Sequence, residues 1–451
     1  MAPRPPLLGW YGDDFTGSTD VLEALGLGGL RARLFAAPPT PEALAEAGEL
    51  DAVGIAGEAR SRSPEWMREH LPEAFAALRD SGARLIHYKV CSTFDSSPTL
   101  GSIGCALEIG QDLLDTPCVP ILVGAPSLGR WVMFGTLFAR AGDGAVYRLD
   151  RHPTMSRHPA TPMDEADLAR HLARQTARPI HGLDLRGLEA AAQDGAAALR
   201  RAAVAGARAL VLDGHDAATL AAGGRLLLGA VRGQGRDGGP VFVIGSSGVE
   251  HALAAARNAP VPERPAPGAA GPVLVLSGSA SPQTAAQIAQ GERAGFAAFR
   301  LDPLDPRAAE ALHAPVLAAL ERGPGAILYT ARGPGDDSLG AIRAALGGPE
   351  ATGPAIGGLL GRLWSRLGAA RRIPRVVVCG GDTASHACQE VGARWFDLVA
   401  PLAPGSPLIR LAAHDPGADG AEVVLKGGQV GGPRLFEAVA AGSAALAVAG
   451  V

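Results

Sequence analysis

Short apolar runs rich in β-branched residues alternate along the chain with long alanine- and leucine-rich stretches at helical spacing, the pattern of an α/β protein with largely parallel sheets. The runs predict strands near 7–11, 52–56, 84–89, 120–123, 209–212 and 241–244, then near 273–276, 297–300, 326–329 and 376–379. Stretches such as 188–209 read as helix, and another helix is predicted to begin near Val21. Polar, glycine-bearing segments directly follow the strands: Gly12-Asp13-Asp14-Phe15-Thr16-Gly17, Ser92-Thr93-Phe94-Asp95, Gly245-Ser246-Ser247-Gly248, Ser277-Gly278-Ser279 and Gly380-Gly381-Asp382-Thr383. In open α/β sheets ligands bind at the carboxyl ends of strands, because helix N-termini and loop amides converge there. A proline- and glycine-rich seam at 259–272 reads as a linker and predicts two domains, 1–260 and 272–451. Two ligand edges facing across it would make an interdomain cleft holding the active site.

Composition narrows the function classes. With 451 residues, 47% of them hydrophobic, the chain is long enough for two or three domains, each with its own core. Forty-one basic against 45 acidic side chains give a net charge of −4 and form no basic block, so nucleic acid is not expected as a partner. No run approaches the roughly 20 apolar residues that cross a bilayer, and no signal peptide is read at the start, so no membrane partner is expected. The five cysteines contain no C-x-x-C pair and read as reduced thiols of a cytoplasmic protein. Only two of the basic residues are lysine, Lys89 and Lys426, which hints at positions where a guanidinium cannot replace an ammonium.

Three constellations carry candidate chemistry. Asp13 and Asp14 place adjacent carboxylates at a strand end, where they repel unless a cation, ligand hydroxyls or amides hold them; either is equally readable as a helix cap. Lys89, Ser92, Thr93 and Asp95 suit a small hydroxylated acid, the ammonium taking its carboxylate and Asp95 its hydroxyls, unless the serines merely decorate a helix start. Arg60 and Arg62 add guanidinium forks after another strand. Gly380-Gly381-Asp382-Thr383 precedes a helix and offers amides to a phosphate, and 425–433, with Lys426, Gly428 and Gly431, offers a second glycine turn.

Several motifs are missing. There is no G-x-x-x-x-G-K-[ST], and the one G-x-G-x-x-G, at 233–238, lies after a helix pattern and before a strand, the reverse of the dinucleotide order. The histidines form no metal-spaced cluster, and His158 and His386 read as solvated or helix-facing.

Taken together, D-D-F-T-G at 13–17, K-V-C-S-T-F-D at 89–95, Ser277-Gly278-Ser279, Gly380 to Thr383, and Lys426-Gly427-Gly428 with Gly431 resemble the four-carbon acid sugar kinase family, whose members phosphorylate threonate, erythronate and 3-oxo-tetronates. The resemblance covers most of the chain. It implies two α/β domains with the active site between them, the first holding the sugar acid and the second ATP with Mg²⁺. On that basis Asp14 would orient or deprotonate the acceptor hydroxyl, with Asp13 or Asp95 competing, and Lys89 with Arg60 or Arg62 would hold the carboxylate. Ser92, Thr93 and Asp95 would complete the substrate site. Ser277, Ser279, Gly380, Gly381, Asp382, Thr383, Gly428 and Gly431 would cradle nucleotide. Gly427 stands where the family usually has serine, Gln429-Val430 replaces Asn-Phe, and Ala280 replaces a common cysteine. Segments 90–104 and 158–165 look similar to a subgroup containing 3-oxo-isoapionate kinases. A nicotinamide-dependent oxidoreductase and a non-catalytic sugar-acid sensor are the alternatives from other classes.

Overall fold

The computed structural model describes residues 4–158, 160–235, 238–258 and 266–444. Residues 259–265 of the seam, 236–237 of the glycine fingerprint, and Pro159 lie outside the described residues. The chain divides into two compact units, residues 1–262 and 263–451.

The first unit contains β1 (Leu8–Gly12), β2 (Ala32–Phe35), β3 (Ala52–Ala56), β4 (Leu85–Lys89), β5 (Val119–Leu122), β6 (Arg130–Met133), β7 (Thr136–Arg140), β8 (Val146–Arg148), β9 (Ile180–Leu183), β10 (Ala209–Leu212) and β11 (Val241–Gly245). Its main sheet runs β2-β3-β1-β4-β11-β5-β10-β9, every pair parallel. The small antiparallel sheet β6-β7-β8 stands apart from it. The strands β1, β3, β4 and β11 are buried along their whole length, as expected for a parallel sheet covered on both faces. Tyr11 stacks on Tyr88 at 5.9 Å, and Phe75 meets both rings edge-on. Each buried side chain of this size contributes about 1.5–3 kcal/mol.

The helix after β1 starts at Phe15, earlier than Val21, because Asp14 caps it by accepting the Gly17 N–H at 2.8 Å. The alanine-rich stretch 188–209 is two helices, Leu185–Gln193 and Gly195–Val204, running on into β10. Asp194 breaks it, its carboxylate capping the second helix at the Ala197 N–H, 2.9 Å.

The second unit contains β12 (Val273–Ser277), β13 (Ala297–Arg300), β14 (Gly325–Tyr329), β15 (Arg375–Cys379), β16 (Ala393–Ala403), β17 (Ser406–Ala413) and β18 (Glu422–Lys426), ordered β13-β14-β12-β15-β18-β17-β16. The pairs from β13 to β18 are parallel, and β17 runs antiparallel to both β18 and β16. Val273, Val275, Ile327, Val377, Val424 and Phe436 form part of its core.

Both sheets reverse their order of growth beside their first strand. After β1 the chain builds β2 and β3 toward one edge and then places β4 on the opposite side. After β12 it builds β13 and β14 toward one edge and then places β15 on the other. Such switch points leave a crevice at the strand ends. Register fixes what lines each: Gly12, Lys89 and Gly245 share one row, and Ser277, Cys379 and Lys426 share another.

Candidate functional site

At the first switch point β1 delivers the two aspartates and β4 delivers Lys89. The Asp13 amide donates to the Lys89 carbonyl at 2.9 Å, and the Arg60 amide donates to the Asp13 carbonyl at 2.9 Å, so three segments are pinned together before any side chain acts. The Arg60 guanidinium then clamps the pair: Nε and Nη2 donate to Asp13 Oδ2 and Oδ1 at 3.1 and 2.6 Å, and Nη1 donates to Asp14 Oδ2 at 2.8 Å. Thr16 Oγ1 donates to Asp14 Oδ2 at 2.7 Å. Asp14 is therefore both cap and charge-cluster member, and Arg60, expected at a substrate carboxylate, is engaged by the two aspartates. Gly17 has a steric reason: a Cβ there would lie 2.5 Å from Asp14 Oδ1 and 3.1 Å from Lys89 Nζ.

The two carboxylates differ. Burial raises Asp13 to about 6, with Asp14 adding to the rise and Arg60 opposing it. Burial acts in the same sense on Asp14, but Arg60, Thr16, Lys89 and the Gly17 amide outweigh it and lower its pKa. Asp14 also keeps 19% of its side chain exposed against 3% for Asp13, so a ligand reaches Asp14. Lys89 is buried, which disfavours its charge, yet Asp20, Asp13 and Asp14 raise its pKa. Its Nζ lies 3.5 Å from Asp20 Oδ2. Sequence reasoning did not single out Asp20. The available signal was its i,i+3 spacing from Gly17, which places both on one helix face.

The loop after β4 carries Ser92, Thr93 and Asp95. Cys91 Sγ and Thr93 Oγ1 are 2.9 Å apart. Phe94, fully buried, takes a left-handed φ of 59°, a costly conformation for a bulky residue and one that clusters at functional sites. A hydrogen-bonded latch holds it. Ser96 Oγ donates to the Phe94 carbonyl at 3.0 Å, and Gln175 Nε2 reaches Ser96 Oγ and His171 Nε2, both at 2.9 Å. The Gly104 amide donates to Gln175 Oε1 at 3.2 Å and so fixes which way that amide points. His171 Nε2 must then be the acceptor and Nδ1 carries the proton. Burial, then Arg174, lower His171 to about 4. Arg62 pairs with Glu58 at 2.9 Å.

At the second switch point Gly380, at φ 111°, turns the chain into the helix Gly381–Glu390, a turn that a side chain would strain. No side chain caps that helix, so the amides at Gly381, Asp382 and Thr383 remain for an anion. Asp382 is exposed; Thr383 and Ser279 are buried beside it. The loops holding Ser279 and Gly428 are joined by Ser281, which donates to the Gly428 carbonyl, and by Thr284 Oγ1, which reaches Ser279 Oγ and the same carbonyl at 3.1 Å. Lys426 is fully buried, its Nζ 2.9 Å from Thr284 Oγ1 and 3.5 Å from the Gly428 carbonyl. Burial lowers its pKa, with only Cys379 opposing. Gln283 and Gln287 bind the Gly431 carbonyl from beneath. Ser277 Oγ is buried without a partner. Thr284 was missed; its signal was the Ser-x-x-Thr spacing of a helix cap with Ser281.

All five cysteines are free. His386 bonds Gln389 on its own helix and His158 contacts Thr161, so neither takes part in these clusters. No helix among the described residues is long and apolar enough to cross a membrane.

Each unit thus carries one switch-point site, charge-rich in the first and amide- and hydroxyl-rich in the second. A sugar-binding N-terminal domain model matches residues 8–253, and a nucleotide-binding C-terminal domain model matches residues 274–436. The chain belongs to the four-carbon acid sugar kinase family. It is 43% identical to a 3-oxo-isoapionate kinase of Paraburkholderia graminis, over 98% of this chain and 95% of that protein. It is 32% identical to a 3-oxo-tetronate kinase of Cupriavidus necator, over 96% of each. A Salmonella typhimurium LT2 protein crystallised under a provisional tRNA-synthase description superposes with a TM-score of 0.76, at 28% identity over 96% of this chain and 98% of that one. These matches give no support to the oxidoreductase or sensor readings.

Proposed function

We propose that the protein is an ATP-dependent kinase of a small 3-oxo sugar acid, with a branched acid of the 3-oxo-isoapionate type as the first candidate. The observation that carries this reading is the pair of chemically opposite switch-point sites, one in each unit. Similarity to the two kinases supports the acid class.

Phosphoryl transfer asks mainly for alignment and charge neutralisation. Asp14 is the residue that orients the acceptor hydroxyl and takes its proton, being ionised and reachable. Asp13, with both oxygens on Arg60, is the positioning partner. An acid as weakly basic as Asp14 suffices where the transition state is loose and orientation dominates. Lys89 supplies fixed positive charge behind the aspartates. In the second unit Gly380 to Thr383 donate amides to nucleotide phosphate, and Ser277, Ser279, Gly428 and Gly431 complete the cradle. The buried, unpartnered Ser277 hydroxyl and the uncapped helix fit a nucleotide. Mg²⁺ bound with the nucleotide would neutralise phosphate charge, and Asp382, exposed in the first turn of the uncapped helix, is the carboxylate that would help hold it.

The test is ADP release by purified protein with ATP and a panel of four-carbon and branched 3-oxo acids, with mass spectrometry of the product. Acid-dependent ADP with a phosphorylated acid is expected. No turnover on any acid, together with no thermal stabilisation by ATP, overturns the reading.

A further inference from the structure

Among the described residues of the first unit, the buried charged side-chain atoms without partners are Arg62 Nε, Arg84 Nε, Asp95 Oδ1, Arg130 Nε and Glu250 Oε2, and two of opposite charge, Asp95 Oδ1 and Arg130 Nε, lie in segments that follow β4 and β5. They come from different elements, Asp95 from the strained loop after β4 and Arg130 from the first strand of the small antiparallel sheet. Arg130 is held at the strand-end side by exchanging backbone hydrogen bonds with Ala125, in the loop after β5, at 3.0 and 3.2 Å. Its Nη1 is occupied by the carbonyls of Leu128, Gly129 and Arg140 at 3.0–3.3 Å, which fixes the plane of the guanidinium and leaves the Nε edge unsatisfied. Asp95 is 8% exposed. The two groups feel one another: burial disfavours the Arg130 charge, while Cys91 and Asp95 favour it. A buried donor and a buried acceptor each cost free energy when unpaired, and these two sit in segments that follow the strands on either side of β11 in one sheet at their carboxyl ends, where a ligand would satisfy both.

We infer that Arg130 and Asp95 form the grip on the acceptor acid, the Nε edge of Arg130 donating to the ligand's carboxylate and Asp95 accepting from one of its hydroxyls. Arg60 cannot serve as that cation, because Asp13 and Asp14 engage it; Arg62 also has an unpartnered Nε, but Glu58 already neutralises its charge through Nη2 at 2.9 Å, whereas no carboxylate among the described residues pairs with Arg130. Guanidinium suits a planar carboxylate better than ammonium does. The latch of Ser96, His171 and Gln175 explains the placement, since it holds Phe94 in its left-handed turn and so fixes the residue next to Asp95. The inference deepens the kinase reading by naming the acid-binding groups, and it rests on that reading only for the identity of the acid.

The experiment is calorimetric binding of 3-oxo-isoapionate, without ATP, to the wild type, Arg130→Met, Arg130→Lys and Asp95→Asn, with ADP release and ATP-induced thermal stabilisation read on the same samples. Loss of a charge-assisted pair weakens binding about 10- to 100-fold in Arg130→Met and Asp95→Asn, with Arg130→Lys recovering part of it. ATP stabilisation is expected to stay at the wild-type level in all three, which also certifies folding. Unchanged acid affinity in Arg130→Met, or no binding by the wild type, overturns the inference. Wild-type binding that Arg130→Met loses, without ADP release from either, upholds the grip and removes the kinase reading.

Discussion

The two lysines of the chain occupy equivalent places, each closing a parallel strand at a switch point, and yet their surroundings are opposite. Lys89 ends β4 among Asp13, Asp14 and Asp20, which raise its pKa against the cost of burial. Lys426 ends β18 among a threonine hydroxyl and a carbonyl, and burial lowers its pKa. The first unit has thus been built as a cluster of compensated charges, and the second as a frame of neutral hydrogen bonds around one sparsely compensated ammonium. A site that must hold a small polar acid needs fixed charges of both signs. A site that receives phosphates needs donors, and a carboxylate beside Lys426 would compete with the phosphate for them.

The largest effect is expected from Asp14→Asn. Asparagine still accepts the Gly17 N–H and so keeps the cap, but it takes no proton and no longer compensates Arg60 and Lys89; turnover should fall by about 10²–10⁴, far beyond what the accompanying drop in melting temperature accounts for. Next, Lys89→Met leaves Asp20 and the aspartate pair without their ammonium and should cost about 3 kcal/mol in urea unfolding. Near-wild-type stability would show that the cluster is not held by charge. The third prediction concerns pH. Asp13 is raised to about 6 from 3.8, so the stability it contributes is complete below pH 3.8 and lost as pH rises through about 6. The unfolding free energy of the wild type relative to Asp13→Asn should therefore fall across that window, followed by urea midpoints at stepped pH. The smallest effect on stability is expected from Lys426→Met, which removes a sparsely compensated buried charge for an apolar chain of similar length and should change it by less than about 1 kcal/mol. Its ATP affinity, read by calorimetry, should nevertheless weaken about tenfold, a loss of about 1.4 kcal/mol. A Lys426→Met protein as destabilised as Lys89→Met would erase the contrast.

Much of this was legible in the sequence because continuous apolar strands in a parallel sheet announce their own ends. The residues after β1, β4, β12 and β15 were visible as candidates for that reason. What escaped depends on tertiary pairing. β16 carries Asp397 and Pro401 and is only partly buried, so its pattern gives no clean period, and its pairing with β17 shifts register three times. Arg60 sits 46 positions from Asp14, and nothing in its local spacing says that it faces inward to the aspartates. Arg130 lies on a half-buried strand of a small sheet, indistinguishable by composition from the other arginines of the chain. Lys426 read as part of a flexible glycine turn, whereas it is the last residue of a buried strand.

The division of labour between the units is tested most directly by hydrogen–deuterium exchange of the full chain with ATP alone and with 3-oxo-isoapionate alone. The account predicts that ATP slows exchange in 277–284, 380–385 and 426–431, and that the acid slows it in 12–20 and 89–97. Protection of 12–20 or 89–97 by ATP alone, with none around 380–385, would contradict it.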